Sequence, residues 1–186
     1  INIIFENITN LNYDKELLIL LYGLSVFGDG IQHTFAEALW QFGNNFIKTA
    51  NYDLVIVKPM SNFIQIITSR FDIDGFGGIL WGLICSFYGF SIINETNNIS
   101  MALLFLGLLN AAIVFLAINI FTSSFAFLLQ DNFYLTHTIF QLHMFARYPK
   151  DIFPKVIGVI LTFVLPLFGA TYYPIKALMS NLWKNM

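Results

Sequence analysis

The first candidate functional residues in the chain are a histidine and a glutamate. His33 and Glu37 are four residues apart, so they share one face of a predicted helix, as two ligands of a metal ion would. No HExxH motif accompanies them, and His137 and His143, six residues apart, do not share a helical face well. We therefore interpret Asp29, His33 and Glu37 as a polar stripe facing the interior of a membrane bundle, and we predict no metal and no cofactor.

The sequence contains no catalytic motif. It lacks the phosphate-binding P-loop and the nucleophile elbow of α/β-hydrolases. Four clustered glycines, Gly75, Gly77, Gly78 and Gly82, favour close helix packing over phosphate binding. The single cysteine, Cys85, excludes a disulfide framework, and no basic block indicates nucleic acid. The chain is therefore predicted not to be an enzyme.

Composition indicates an integral membrane protein. Hydrophobic residues make up 57% of the chain and charged residues only 11%, with a mean hydropathy of +0.70. The prediction is an all-α, polytopic membrane protein that forms one transmembrane domain over residues 1–186. Its membrane segments are expected near 16–41, 75–94, 100–121, 123–146 and 153–178.

The third and fourth segments are predicted to form a hairpin whose turn lies at 119–124, where small polar residues cluster. The alternative is one long helix followed by an interfacial segment. The Lys and Arg residues between 42 and 74 place that loop in the cytoplasm. Arg147, Lys150 and Lys155 then lie outside under the hairpin hypothesis and inside under the alternative.

Prolines interrupt the apolar region near the C-terminus. Each removes a backbone donor and blocks a regular helix, which hydrocarbon tolerates only where protein or water satisfies the freed carbonyls. We predict a broken re-entrant or interfacial element, in which Pro154 starts a short helix and Pro166 ends or kinks it. The residues assigned to this element are Tyr148, Pro149, Pro154, Pro166, Tyr173 and Pro174.

Three stretches, in order, resemble the ABC-2 type permeases, which are integral membrane subunits of bacterial ABC exporters. They are Glu16–Leu24, Asn51–Gln65 and the proline-rich element. The second resembles a cytoplasmic motif of these permeases, and the positions that match it are Asp53, Lys58, Pro59, Ser61 and Gln65. Asn51 stands where that motif usually has Gly. The chain looks like the middle of a permease cut at both ends, or a reduced relative.

The resemblance implies an exporter driven by a separate ATPase subunit, with a second permease subunit, homo- or heteromeric, in the bacterial cytoplasmic membrane. It implies a hydrophobic or amphipathic substrate. We expect the Asn51–Gln65 segment to dock the ATPase, with Pro59 opening a short helix; the alternative is an interfacial helix resting on lipid. The competing function is an ion-coupled secondary transporter or channel that uses Asp29, His33, Glu37 and Asp131.

Overall fold

The structure, a computed structural model, describes residues 15–96, 101–129 and 132–183. Within these ranges all regular secondary structure is helical and there is no strand, so the predicted all-α class is confirmed. The helices are α1 (Lys15–Trp40), α2 (Asn51–Ile56), α3 (Asn62–Ile67), α4 (Asp74–Thr96), α5 (Met101–Ser124), α6 (Ala126–Leu129), α7 (Phe133–Leu142), α8 (Lys155–Phe163), α9 (Leu167–Ala170) and α10 (Tyr172–Trp183). A π-helical turn lies at Gly43–Ile47, and 3-10 turns lie at His143–Arg147 and Lys150–Ile152.

Small residues bring α1 and α4 into backbone contact. The two helices run antiparallel, and a Cβ atom added at Gly30 of α1 would lie only 2.5 Å from the backbone nitrogen of Ile79 in α4. Gly82 of α4 is equally crowded by the backbone of Phe27, whereas Gly77 has open space around it. Close approach of this kind is how membrane helices gain packing energy without a hydrophobic driving force. Of the four clustered glycines, Gly77 therefore has no part in the packing.

Polar side chains join α5 to the end of α1. Ala36 has φ −122° and ψ 20°, which kinks α1. There the Asn119 amide donates to the Ala36 carbonyl at 3.3 Å, and the Ser123 hydroxyl donates to the Leu39 carbonyl at 2.7 Å. The turn predicted at 119–124 is thus wrong, because its polar residues are helical and bond a neighbouring helix instead of forming a turn.

The chain reverses direction later than the sequence predicts. Helix α5 is parallel to α1, the helical path breaks at Phe125, and α7 then runs back along α1. Just before α7, the Asn132 side chain accepts a hydrogen bond from the Gly43 amide at 3.1 Å. Just after α7, His143 forms a hydrogen bond with Asp29. The predicted 123–146 segment is accordingly divided between α6, α7 and a 3-10 turn, and its crossing of the membrane stays a prediction.

Prolines mark the helix starts of the C-terminal element. Pro154 is the residue before α8, and Pro166 stands between α8 and α9 as the residue before α9. Pro174 is the third residue of α10, where its missing N–H breaks no helical bond. Pro149 follows Tyr148, which is extended at φ −113° and ψ 149°. The region 153–178 is therefore three short helices.

Within the described residues, two helical stretches are long and apolar enough to cross a bilayer: Asp74–Ile93 of α4 and Met101–Leu129, which covers α5 and α6, with mean hydropathies of 1.7 and 2.6. Only 22% and 33% of the most apolar part of each stretch is buried inside the protein, whereas the core helices of a soluble domain are mostly buried. Large apolar side chains such as Leu80, Ile84 and Ile113 lie exposed on their outer faces. These faces require lipid, and the chain is a membrane protein.

Candidate functional site

Helices α2 and α3 form a short helical hairpin, residues 51–67, beyond the end of α1. Val55 and Ile66, each 6% exposed, are the buried residues that attach it to the bundle. They pack in one apolar cluster with Leu39 and Phe42 of the α1 end. Ala50, in a left-handed conformation at φ 56°, turns the chain into α2. The predicted ATPase-docking segment is therefore a compact unit fixed to α1.

The Gln65 side chain closes this hairpin. Its amide nitrogen donates to the Met60 carbonyl at 2.9 Å and to the Val55 carbonyl at 3.3 Å. A continuing helix would bond the Val55 carbonyl to the N–H of residue 59, which Pro59 lacks. Pro59 consequently lies in the turn, and the next helix opens at Asn62, after Ser61. The expectation that Pro59 itself opens a helix is wrong. The Gln65 side chain points into the turn between α2 and α3.

The outer face of the hairpin combines apolar and charged side chains. Val57 is 83% exposed, and Asp53 and Lys58 are exposed too. Leu54, Ile56 and Phe63 are exposed as well, whereas Ile66 is buried. The further large apolar residues exposed on the hairpin are Met60 and Ile64.

The polar stripe of α1 is partly buried: the side chains of Glu37, Asp29 and His33 are 10%, 14% and 35% exposed. Asp29 binds two residues of the 3-10 turn His143–Arg147, which follows α7. The His143 Nδ1–H donates to its Oδ1 at 3.1 Å, and an Arg147 nitrogen lies 3.5 Å from its Oδ2. The Arg147 guanidinium also lies over the Tyr22 ring, 5.6 Å from its centroid.

The same stripe takes part in a second cluster. The Nδ1 atom of His33 lies 3.5 Å from a Glu37 oxygen and 3.6 Å from an oxygen of Asp72, a residue of the linker before α4. A cavity of about 230 Å³ lies beside both clusters. Its lining includes Asp29, His33, Gly78, Asp74 and Arg147.

Sequence reasoning grouped Asp29, His33 and Glu37 but missed their partners. Asp72, His143 and Arg147 come from distant parts of the chain, so no local spacing could reveal them. The ion-coupled hypothesis also needs Asp131, which lies outside the described residues. His137 is separate from both clusters: it is exposed and packs on the Trp40 ring.

The proline-broken element is held together by tyrosine hydroxyls and a threonine. The Lys150 ammonium donates to the Tyr173 hydroxyl at 2.8 Å, and the Tyr172 hydroxyl donates to Asp151 at 2.7 Å. The Thr171 hydroxyl donates to the Ala146 carbonyl at 2.8 Å, and this hydrogen bond links the element to the 3-10 turn His143–Arg147. The amide of Asn110 on α5 donates to a carbonyl at the end of α9 at 2.7 Å. Side chains thus satisfy carbonyls that the breaks leave free.

Comparison with known proteins gives one family. The model of a family described as "ABC-2 family transporter protein" matches residues 1–183. No curated protein and no solved structure matches the chain.

Proposed function

The chain belongs to the ABC-2 family of transporter proteins and is a permease component of an ABC transporter, and from this we propose that it is the membrane subunit of an exporter in the bacterial cytoplasmic membrane. It has no nucleotide-binding motif, so a separate ATPase subunit supplies the energy. A second permease subunit completes the pathway, and the substrate is hydrophobic or amphipathic.

The α2–α3 hairpin supports this proposal. A permease must receive mechanical work through an element that fits its ATPase and moves with its membrane helices. The hairpin meets both needs, because Val55 and Ile66 fix it to α1 while Val57 and Leu54 remain exposed. Exposed apolar residues supply contact area, and the charges of Asp53 and Lys58 set the register of docking more than its affinity.

The experiment is to co-purify the permease with its ATPase and to measure ATP hydrolysis in proteoliposomes. Val57→Glu is expected to abolish co-purification and stimulation, since it places a charge in the centre of the apolar contact. Lys58→Glu should weaken both. Ile73→Glu is the matched control, because Ile73 is 81% exposed but lies outside the hairpin.

Normal membrane insertion of all three variants is required for the comparison. If Val57→Glu still binds and stimulates the ATPase at the wild-type level, the hairpin is not the coupling surface. If transport persists without ATP but needs an ion gradient, the exporter proposal itself fails.

A further inference from the structure

Three potential metal ligands converge where α1 meets the linker before α4. They are Nδ1 of His33 and one carboxylate oxygen each of Glu37 and Asp72, and all three atoms lie within 4.8 Å of one another. His33 and Glu37 come from successive turns of α1, whereas Asp72 arrives from a linker more than thirty residues later. The site is thus created by the fold.

Two of these ligand atoms are buried without a hydrogen-bond partner. They are Nδ1 of His33 and Oε2 of Glu37, and Glu37 as a whole is only 9% exposed. Among the residues that the structure describes, no Lys or Arg forms an ion pair with Glu37 or Asp72. A buried carboxylate oxygen that accepts no hydrogen bond is costly, so the site favours a cation.

The separations suit a metal better than a direct hydrogen bond. The distances of 3.5 and 3.6 Å from the histidine nitrogen exceed the length of about 2.8 Å for a charge-assisted hydrogen bond. With metal–ligand bonds of about 2.1 Å in a tetrahedral arrangement, neighbouring ligand atoms lie about 3.4 Å apart. The observed distances are close to this value.

The surrounding structure orients the ligands. The Asp72 backbone amide donates to the Thr34 carbonyl at 3.2 Å, which fixes the linker against α1. The Asp74 amide donates to Oδ1 of Asp72 at 3.0 Å, so the other oxygen, Oδ2, is left to face His33. The His33 ring packs against the Trp40 and Phe140 rings, with centroid distances of 6.1 Å to each, and those two rings contact each other at 4.6 Å. Such outer contacts are what hold metal ligands in place.

We propose that His33, Glu37 and Asp72 bind a divalent transition-metal cation of the Zn²⁺ class. One imidazole and two carboxylates suit such an ion, whereas Mg²⁺ and Ca²⁺ prefer oxygen ligands alone. Two carboxylates neutralise its charge, and a water molecule completes the coordination on the side where the His33 side chain is 35% exposed. The bound ion joins α1 to the linker of the α2–α3 hairpin. The proposal does not depend on the transport function.

The test is a Zn²⁺ titration of the full chain in lipid nanodiscs, with a competing chelator and metal analysis by mass spectrometry. Wild type is expected to bind one Zn²⁺ per chain. The variants His33→Gln, Glu37→Gln and Asp72→Asn should each weaken Zn²⁺ binding at least about tenfold. Even substitution of residues that only hydrogen-bond to metal ligands lowers metal affinity by about that factor. Asn at position 72 keeps the acceptor for the Asp74 amide, so this variant removes the ligand without removing the turn.

The controls are His137→Gln and Asp53→Asn, which remove an exposed histidine and an exposed carboxylate elsewhere. Both should bind Zn²⁺ as wild type does. In Co²⁺-loaded protein, the visible absorption of a nitrogen- and oxygen-ligated ion should appear in wild type and be lost in Asp72→Asn. Absence of stoichiometric binding, or equal losses in the control variants, overturns the proposal.

Discussion

At the scale of single residues, Asp29 is a partly buried carboxylate that pairs with two cationic or hydrogen-bonding side chains. It accepts a hydrogen bond from His143 and pairs with Arg147, and its side chain is 14% exposed. Removing one partner of a buried charge costs more than the pair contributes, because the remaining charge has no compensation.

We expect Asp29→Asn to lower the thermal unfolding midpoint in detergent, by an amount corresponding to about 2 kcal/mol. The asparagine oxygen still accepts from His143, but Arg147 loses its counter-charge. Asp74→Asn is the control, since Asp74 lines the same cavity, is exposed and forms no ion pair within the described residues. Tryptophan fluorescence during heating measures both. Equal shifts in the two variants would show that the Asp29 network is not stabilising.

The sequence alone indicated the stripe but not its partners, and the reason is physical. Helical periodicity relates His33 to Glu37 because they are four residues apart in one helix. Asp72 and His143 come close to that stripe only after α4 and α7 pack on α1, and that packing depends on glycine contacts such as Gly30 on Ile79. A local pattern carries no information on such long-range contacts.

At the scale of elements, the junction of α1 and α5 explains the wrongly predicted turn. Asn and Ser favour turns because their side chains bond nearby backbone groups. Here Asn119 and Ser123 bond carbonyls of α1, at and just after the kink at Ala36. The prediction of a turn is wrong because these side chains find their backbone partners on another helix.

We therefore expect Ser123→Ala to destabilise the bundle by about 1–2 kcal/mol, since the Leu39 carbonyl loses a buried donor. Ser124→Ala is the matched control. The Ser124 hydroxyl is exposed and bonds only its own helix, at the Phe121 carbonyl. Unfolding by sodium dodecyl sulfate, followed by circular dichroism, gives the two values. A cost at Ser124 as large as that at Ser123 would contradict this account.

At the scale of the whole molecule, the bundle has two chemically different ends. The hairpin lies beyond Trp40, whereas Arg147 pairs with Asp29, about 17 Å back along α1 at 1.5 Å per residue. The proline-broken element begins directly after Arg147. The hairpin hypothesis, which puts Lys58 and Lys155 on opposite sides of the membrane, stays a prediction.

Cysteine labelling tests this arrangement. In a Cys85→Ala background, Lys155→Cys should react with a membrane-impermeant maleimide in intact cells, and Lys58→Cys only in inverted vesicles. Both lysines are exposed, so access to the reagent is not limited by protein packing. Labelling of both positions from the same side would refute the placement.

The glycine contacts between α1 and α4 have a mechanical consequence. The hairpin is joined covalently to α1 at one end and, through the linker, to α4 at the other. Because the backbones of these two helices touch at Gly30 and Gly82, they cannot slide apart without steric clash or lost packing. A displacement of the hairpin is therefore expected to tilt the two helices together rather than one past the other.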